Sequence, residues 1–217
     1  MIEIVYQTEN IVVCIKPVGI SSESDGLVRR LSEQLNSPIF PLHRLDQAVG
    51  GLMVYAKNKT AAARLSKDIQ NHKMEKEYLA VVKDVESLKD SDTLTDQLYH
   101  DRKKNKAYVV SSVRKGTKEA VLSYRTVERS AGLRLVRVSL ETGRSHQIRV
   151  QFSSRKAPLV GDGKYGFKAN CNIALYSCHL YFKEPMSHQS LSFTCYPACT
   201  YPWDQFEEIR NHTVNGG

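Results

Sequence analysis

The chain has 217 residues, 41% hydrophobic and 25% charged, and its 31 lysines and arginines against 23 acids give a net charge of +8. That length supplies one substantial core and the composition is that of a globular protein, read as a single domain over 1–217. No apolar run approaches a membrane span, and the N-terminus MIEIVYQTENIVV lacks a basic stretch followed by a sustained apolar one, which argues against export and for a cytoplasmic location. The five cysteines, Cys14, Cys171, Cys178, Cys195 and Cys199, are odd in number and lack C-x-x-C spacing. Reduced thiols are therefore expected, and no metal ligands are assigned.

In chain order, residues 1–20 read as two opening strands around the turn QTEN, closed by a Lys16-Pro17-Val18-Gly19 break. Leu27, Leu31 and Leu35 at four-residue spacing predict an amphipathic helix. The stretch FPLHRLDQAVGGLMVYAKN then joins a polar loop to an apolar strand through Gly50 and Gly51. A loop carrying His43, Arg44 and Asp46 at the lip of a core strand suits chemistry, because rigid backbone holds the side chains. From the motif alone, an Arg44–Asp46 ion pair closing the loop is the leading reading.

A second helix is expected over KTAAARLSKDIQNH, with Thr60 as its N-cap and Ala62, Leu65 and Ile69 as its apolar stripe. KEYLAVVKDV is a strand apolar on both faces. The basic stretch Lys103–Lys118 reads as a hairpin or long loop, followed by the strands EAVLSYRTVE and LRLVRVSLET and a helix begun by GRSHQIRVQFS. The loop GDGKYG, the late strands IALYSCHLYF and SLSFTCY, and a C-terminal helix and tail from about residue 204, with NHTVNGG frayed, complete the order. The mixed order predicts an α+β fold around a largely antiparallel sheet with flanking helices.

Charge is not spread evenly. Arg102, Lys103, Lys104, Lys106, Arg114, Lys115 and Lys118 share one segment with Tyr108 and the single acid Asp101, and Gly143–Lys156 holds four basic residues and no acid. Basic residues interleaved with an aromatic suit a surface that follows a nucleic-acid backbone, and a solvated charged face is the alternative. Taken singly, Tyr78 fits a core tyrosine, Arg149 a surface arginine and Asp162 a turn former.

Together, HRLDQAVGGLMVYAK, KEYLAVV, TGRSHQIRVQF and GDGKYG stand in the order, and at about the intervals, of the RluA family of RNA pseudouridine synthases, which the chain resembles to about Cys199. The resemblance implies the pseudouridine synthase fold and an isomerisation of uridine in RNA in which the N1–C1′ bond breaks and C5 bonds to C1′. No cofactor or metal is implied. Asp46 matches the catalytic carboxylate, either nucleophile at C1′ or base at C2′, and one carboxylate suffices where a glycosidase uses two. Tyr78 matches the tyrosine that packs on uracil, and Arg149 the arginine that pairs with the aspartate. Arg44 matches a residue that fills the space of a flipped-out base or meets phosphate.

His43, Arg144, His146 and Gln147 are placed with the substrate-binding residues, as are Lys103, Lys104 and Lys106. Asp162 and Tyr165 match a structural loop. The chain departs from the family at Val49-Gly50-Gly51, where Thr-Ser-Gly is common, and at Tyr176 and Glu184, where histidines are usual. It resembles short members that lack an S4 module, so RNA affinity is expected from its own basic surface. The expected partner is tRNA or rRNA, with no protein partner, no membrane and a monomeric state. A non-catalytic RNA-binding or RNA-folding protein on the same scaffold is the alternative, and a nucleosidase acting on small substrates a third reading.

Overall fold

The computed structural model describes residues 1–213, and the expected tail at 214–217 lies outside them. In chain order the elements are β1 (Ile4–Gln7), β2 (Ile11–Lys16), an irregular turn at Ser24–Val28, α1 (Arg29–Leu35), β3 (Phe40–Pro41), β4 (Gly50–Ala56), α2 (Lys59–Gln70) and β5 (Glu75–Lys83). Then follow β6 (Ser91–Asp101), β7 (Lys106–Val110), β8 (Thr117–Ser130), β9 (Leu133–Leu140), α3 (Gln147–Ser154), β10 (Leu175–Lys183), β11 (Ser190–Thr194), a short turn at Trp203–Gln205 and α4 (Glu207–Thr213). The strand pairings are mostly antiparallel, β4 with β10 being a parallel one, which is the expected α+β class. The chain divides into two compact units, the first made of residues 1–76 with 176–195, and the second of residues 77–175 with the segment from Tyr196 onward.

In the first unit the strands run in the order β1-β2-β4-β10, with β3 on β4 and β11 on β10. Every residue of β4 is buried, as its unbroken apolar run requires of a strand covered on both faces. Its pairing with β10 is the parallel one, and it begins at Gly50 and Gly51 opposite Tyr176 and Ser177. Gly51 has φ 118, and a Cβ there would stand against the Ser177 backbone, so only glycine fits. Ile11, Val13, Leu52, Val54, Leu65, Leu180 and Phe182 form the core.

Two local expectations are corrected here. The N-cap of α2 is Asn58, not Thr60, because the Asn58 Oδ1 accepts the Ala61 N–H at 2.8 Å and the helix already includes Thr60. Its buried stripe accordingly starts at Ala61 and continues through Leu65, with Ile69 half-buried.

The second unit is an antiparallel meander in the order β5-β9-β8-β6-β7. Tyr78 to Val82 of β5 are all buried, as the two-faced apolar pattern predicts. Helix α3 places Val150 against Leu98, Ala107 and Ala120, and its Phe152 meets the Tyr124 ring edge-on at 5.1 Å. The basic stretch is resolved into a β6–β7 hairpin, whose turn carries Lys103 and Lys104, and a loop that ends at β8. At the C-terminus, Asn211–Thr213 continue α4 rather than fray.

Candidate active site

In the first unit the backbone on both sides of Asp46 is fastened. The Ser22 hydroxyl accepts the Leu45 N–H at 3.2 Å and donates to the Leu45 carbonyl at 3.0 Å. The Gln47 carbonyl accepts the Gly19 N–H at 2.8 Å, and the Gln47 amide donates to the Gly19 carbonyl at 2.8 Å. The Asp46 carbonyl accepts the Val49 N–H at 2.9 Å, making a turn that leads into β4. A half-buried carboxylate on a loop tied at both neighbours is pre-organised, because its backbone cannot relax to follow the side chain.

Lys16 is the tie that was not singled out from sequence. Its side chain is fully buried, and its Nζ donates to the carbonyls of Pro17, Gln47 and Val49 at 3.0, 3.3 and 2.6 Å. Burial pulls its pKa down to about 8, and the charge of Asp46 acts in the opposite sense. A signal was present, since Val12, Cys14 and Lys16 share one face of a strand that is otherwise apolar. A lysine on such a face needs a buried partner.

Arg44 does not close the loop onto Asp46. It is exposed and sits 3.6 Å from Glu23, an exposed ion pair of small energetic weight. His43 is half-buried, and its Nε2 faces the Val54 N–H at 3.5 Å. Burial, and secondarily the charge of Lys76, hold its pKa down to about 3, so the ring is neutral at ordinary pH.

In the second unit Arg149 is buried on α3 and bound in a fork by Asp162, Nε to Oδ2 at 2.7 Å and Nη2 to Oδ1 at 2.9 Å. Its guanidinium carbon lies 5.1 Å from the centre of the Tyr165 ring. The Tyr165 hydroxyl accepts the Ala107 N–H at 2.7 Å and bonds His146 Nδ1 at 2.9 Å. Asp162 is thus a counter-ion of Arg149, and its Asp-Gly turn chemistry in the sequence hid that role. Tyr78 is buried on β5 opposite Val138.

The remaining residues divide by exposure. Gln147 is buried: its Oε1 accepts from the Thr142 hydroxyl at 2.8 Å and the Arg144 N–H at 3.0 Å, and its amide donates to the Val121 carbonyl at 3.1 Å. Arg144 is exposed and donates to the Glu119 carbonyl at 2.8 Å. Lys103 and Lys104 stand exposed on the hairpin turn, where the Asp101 carboxylate accepts both of their backbone N–H groups and leaves their amines to solvent. The Lys106 amine lies 5.7 Å from the Tyr108 ring centre and 5.2 Å from that of Tyr165, and the Arg114 guanidinium lies 5.1 Å from that of Tyr99. Of these rings Tyr108 is exposed, Tyr99 half-buried and Tyr165 buried, so Lys106 beside Tyr108 is the pair with the composition of a surface for a stacked polyanion.

Residues 10–154 match the RNA pseudouridylate synthase family. An uncharacterized RNA pseudouridine synthase of Haemophilus influenzae is 30% identical over 96% of this chain and 95% of its own. A tRNA pseudouridine synthase C of Haemophilus ducreyi is 28% identical over 89% of this chain and 90% of its own. Among solved structures, human RNA pseudouridylate synthase domain containing 1 superposes with a TM-score of 0.79 at 19% identity, covering 100% of this chain and 96% of its own, which is a likeness of fold. The chain belongs to the RNA pseudouridylate synthase family, in its RluA type. It is an isomerase that acts on RNA, converting uridine to pseudouridine. No helix among the described residues is long and apolar enough to cross a membrane.

Proposed function

We propose that the whole chain serves as one synthase domain whose catalytic carboxylate is Asp46, with Tyr78 and Arg149 as the other catalytic residues, and that it modifies tRNA or rRNA as a cytoplasmic monomer. The observation that carries the assignment is the fastening of the Asp46 loop. Bonds from Ser22, Gly19 and the buried amine of Lys16 hold Leu45, Gln47 and Val49, while the aspartate between them stays half-exposed. The names of two classes of relatives support an RNA target, and those called tRNA pseudouridine synthase C favour tRNA.

In this reading the flipped uridine offers its sugar to the Asp46 carboxylate, which either bonds to C1′ as the N1–C1′ bond breaks and leaves again when the turned uracil bonds to C1′ through C5, or takes the C2′ proton as that bond breaks and returns it when C5 bonds to C1′. The C5 proton leaves to solvent and N1 gains one, so substrate and product are isomers. Tyr78 lies against the uracil ring, a contact of about 1–3 kcal/mol in base–aromatic pairs. Arg149, aimed by Asp162, supplies a fixed positive charge. Arg44 and the amines of Lys103, Lys104 and Lys106 meet phosphate, with His43, Arg144, His146 and Gln147 supporting that contact.

The test is tritium release from C5-labelled tRNA and rRNA transcripts by the wild type and by Asp46→Ala. Release by the wild type alone supports the assignment and identifies the RNA class. Release by Asp46→Ala at more than about a hundredth of the wild-type rate would remove Asp46 from the chemistry.

A further inference from the structure

The second unit holds a cleft of about 740 Å³ that none of the roles above uses. Small-molecule sites span roughly 300–1,000 Å³, so one nucleotide fits it with room for water. Its walls come from the end of β5, the β8–β9 turn, the end of α3, the GKYGF turn and the segment that leads into α4.

The lining chemistry is one-sided. Lys83 and Lys156 are exposed at the cleft, no carboxylate lines it, and among the described residues neither amine has an ion pair or a hydrogen bond. The lysines whose amines are committed elsewhere in the unit make the contrast plain, as Lys164 is bonded to the Asn105 carbonyl at 2.9 Å. No carboxylate of the lining competes for these two amines, so both can meet an anion that enters the cleft. Tyr201 lines the same cleft and is 47% exposed, beside half-buried Phe167 and the amide of Gln205. The Gln205 Nε2 donates one N–H to Asp204 Oδ1 at 2.8 Å, which leaves its second N–H and its Oε1 for a ligand. A flat ring, that amide and two amines match a base, its edge and a phosphate.

We propose that this cleft binds a single nucleotide, its base on Tyr201 with the edge read by Gln205, and its phosphate held by Lys83 and Lys156. The nucleotide comes either from the bound RNA strand, in which case the proposal rests on the RNA-modifying reading, or from solution.

The experiment uses the full chain as wild type, as the double variant Lys83→Gln with Lys156→Gln, and as Tyr201→Ala. Uridine 5′-monophosphate binding is followed by ligand-observed NMR. Transcript affinity is followed by filter binding and the KM by tritium release. Wild-type tritium release separates failure of this proposal from failure of the synthase reading, and filter binding reads the RNA arm where no tritium is released. Binding of the mononucleotide that weakens about fivefold in both variants supports the solution source. No mononucleotide binding, but transcript Kd and KM raised about fivefold in both variants at unchanged kcat, supports the strand source. The proposal is overturned if both readouts stay within about twofold of wild type, or if only the lysine variant responds, since that is a diffuse phosphate contact without a base site.

Discussion

Replacing Asp162 by Asn tests what aims Arg149. Asp162 is fully buried and the Arg149 side chain is 6% exposed, so the two bonds of 2.7 and 2.9 Å are made out of water. Asn has the same shape, but its amide turns a donor toward a guanidinium that can only donate, so at least one of the two bonds is lost and its geometry is reversed. Hydrogen bonds to charged groups contribute about 1.5–3 kcal/mol each, and breaking one partner of a buried pair costs about 3–5 kcal/mol. The two figures agree on an expected loss of about 3–5 kcal/mol in urea unfolding. For a chain of this size that is a fall of roughly 6–20 °C in Tm. A kcat fall is expected in the variant under conditions where it remains folded, with KM for RNA changing less. A variant within about 1 kcal/mol of wild type would refute the reasoning, because the fork would then not be what holds Arg149. The double change Asp162→Leu with Arg149→Met is expected to regain much of the stability and none of the activity.

Lys16→Met removes the two bonds that fasten the Asp46 loop at Gln47 and Val49, with the one to Pro17, and kcat is expected to fall about tenfold or more with little change in RNA affinity; an unchanged kcat would show that the loop holds itself. Gly51→Ala places a Cβ against the Ser177 backbone at φ 118, and urea unfolding should show a loss of about 2 kcal/mol or more. His43 has its folded pKa lowered to about 3, so the unfolded chain takes up a proton first as pH falls. Stability from this group is present above pH 6.5 and is lost at about 1.4 kcal/mol per pH unit down to about pH 3. His43→Gln should flatten that slope in acid titrations of the unfolding free energy.

Elements with one dominant period were legible in the sequence, and those with mixed signals were not. The unbroken apolar runs of β4 and β5 describe their burial directly, as do Leu27 just before α1 and Leu31 within it, while Leu35 at its end is half-buried. The eleven-residue β6 went unread, because Leu94 and Leu98 are its only fully buried residues and their spacing of four mimics a helix. Its pairing with both β7 and β8 overrides that local pattern. The two-residue β3 is too short to carry any period. In the candidate site, Asp46 stood out because a polar cluster precedes a buried strand. Lys16 did not, and Asp162 was read as a turn former in a structural loop, because their parts are played by a buried amine and a buried carboxylate whose partners, Gln47 and Val49 or Arg149, lie many residues away.

The parallel pairing of β4 with β10 also sets a timetable for synthesis. Ala56 ends β4 and Tyr176 is the first β10 residue to pair with it, so about 120 residues must be made before that edge is covered. At roughly 5–20 residues per second this takes on the order of 10 s. Throughout it Leu52 and Val54 lack Leu180 and Phe182, the core partners that arrive with β10, and Leu191 of β11 follows later still. A nascent chain in that interval presents an apolar strand with an open edge, the state in which strands pair with the wrong neighbour. Gly51 shortens the hazard at one end, since a backbone at φ 118 does not continue a flat strand and blunts the edge where β10 will later dock.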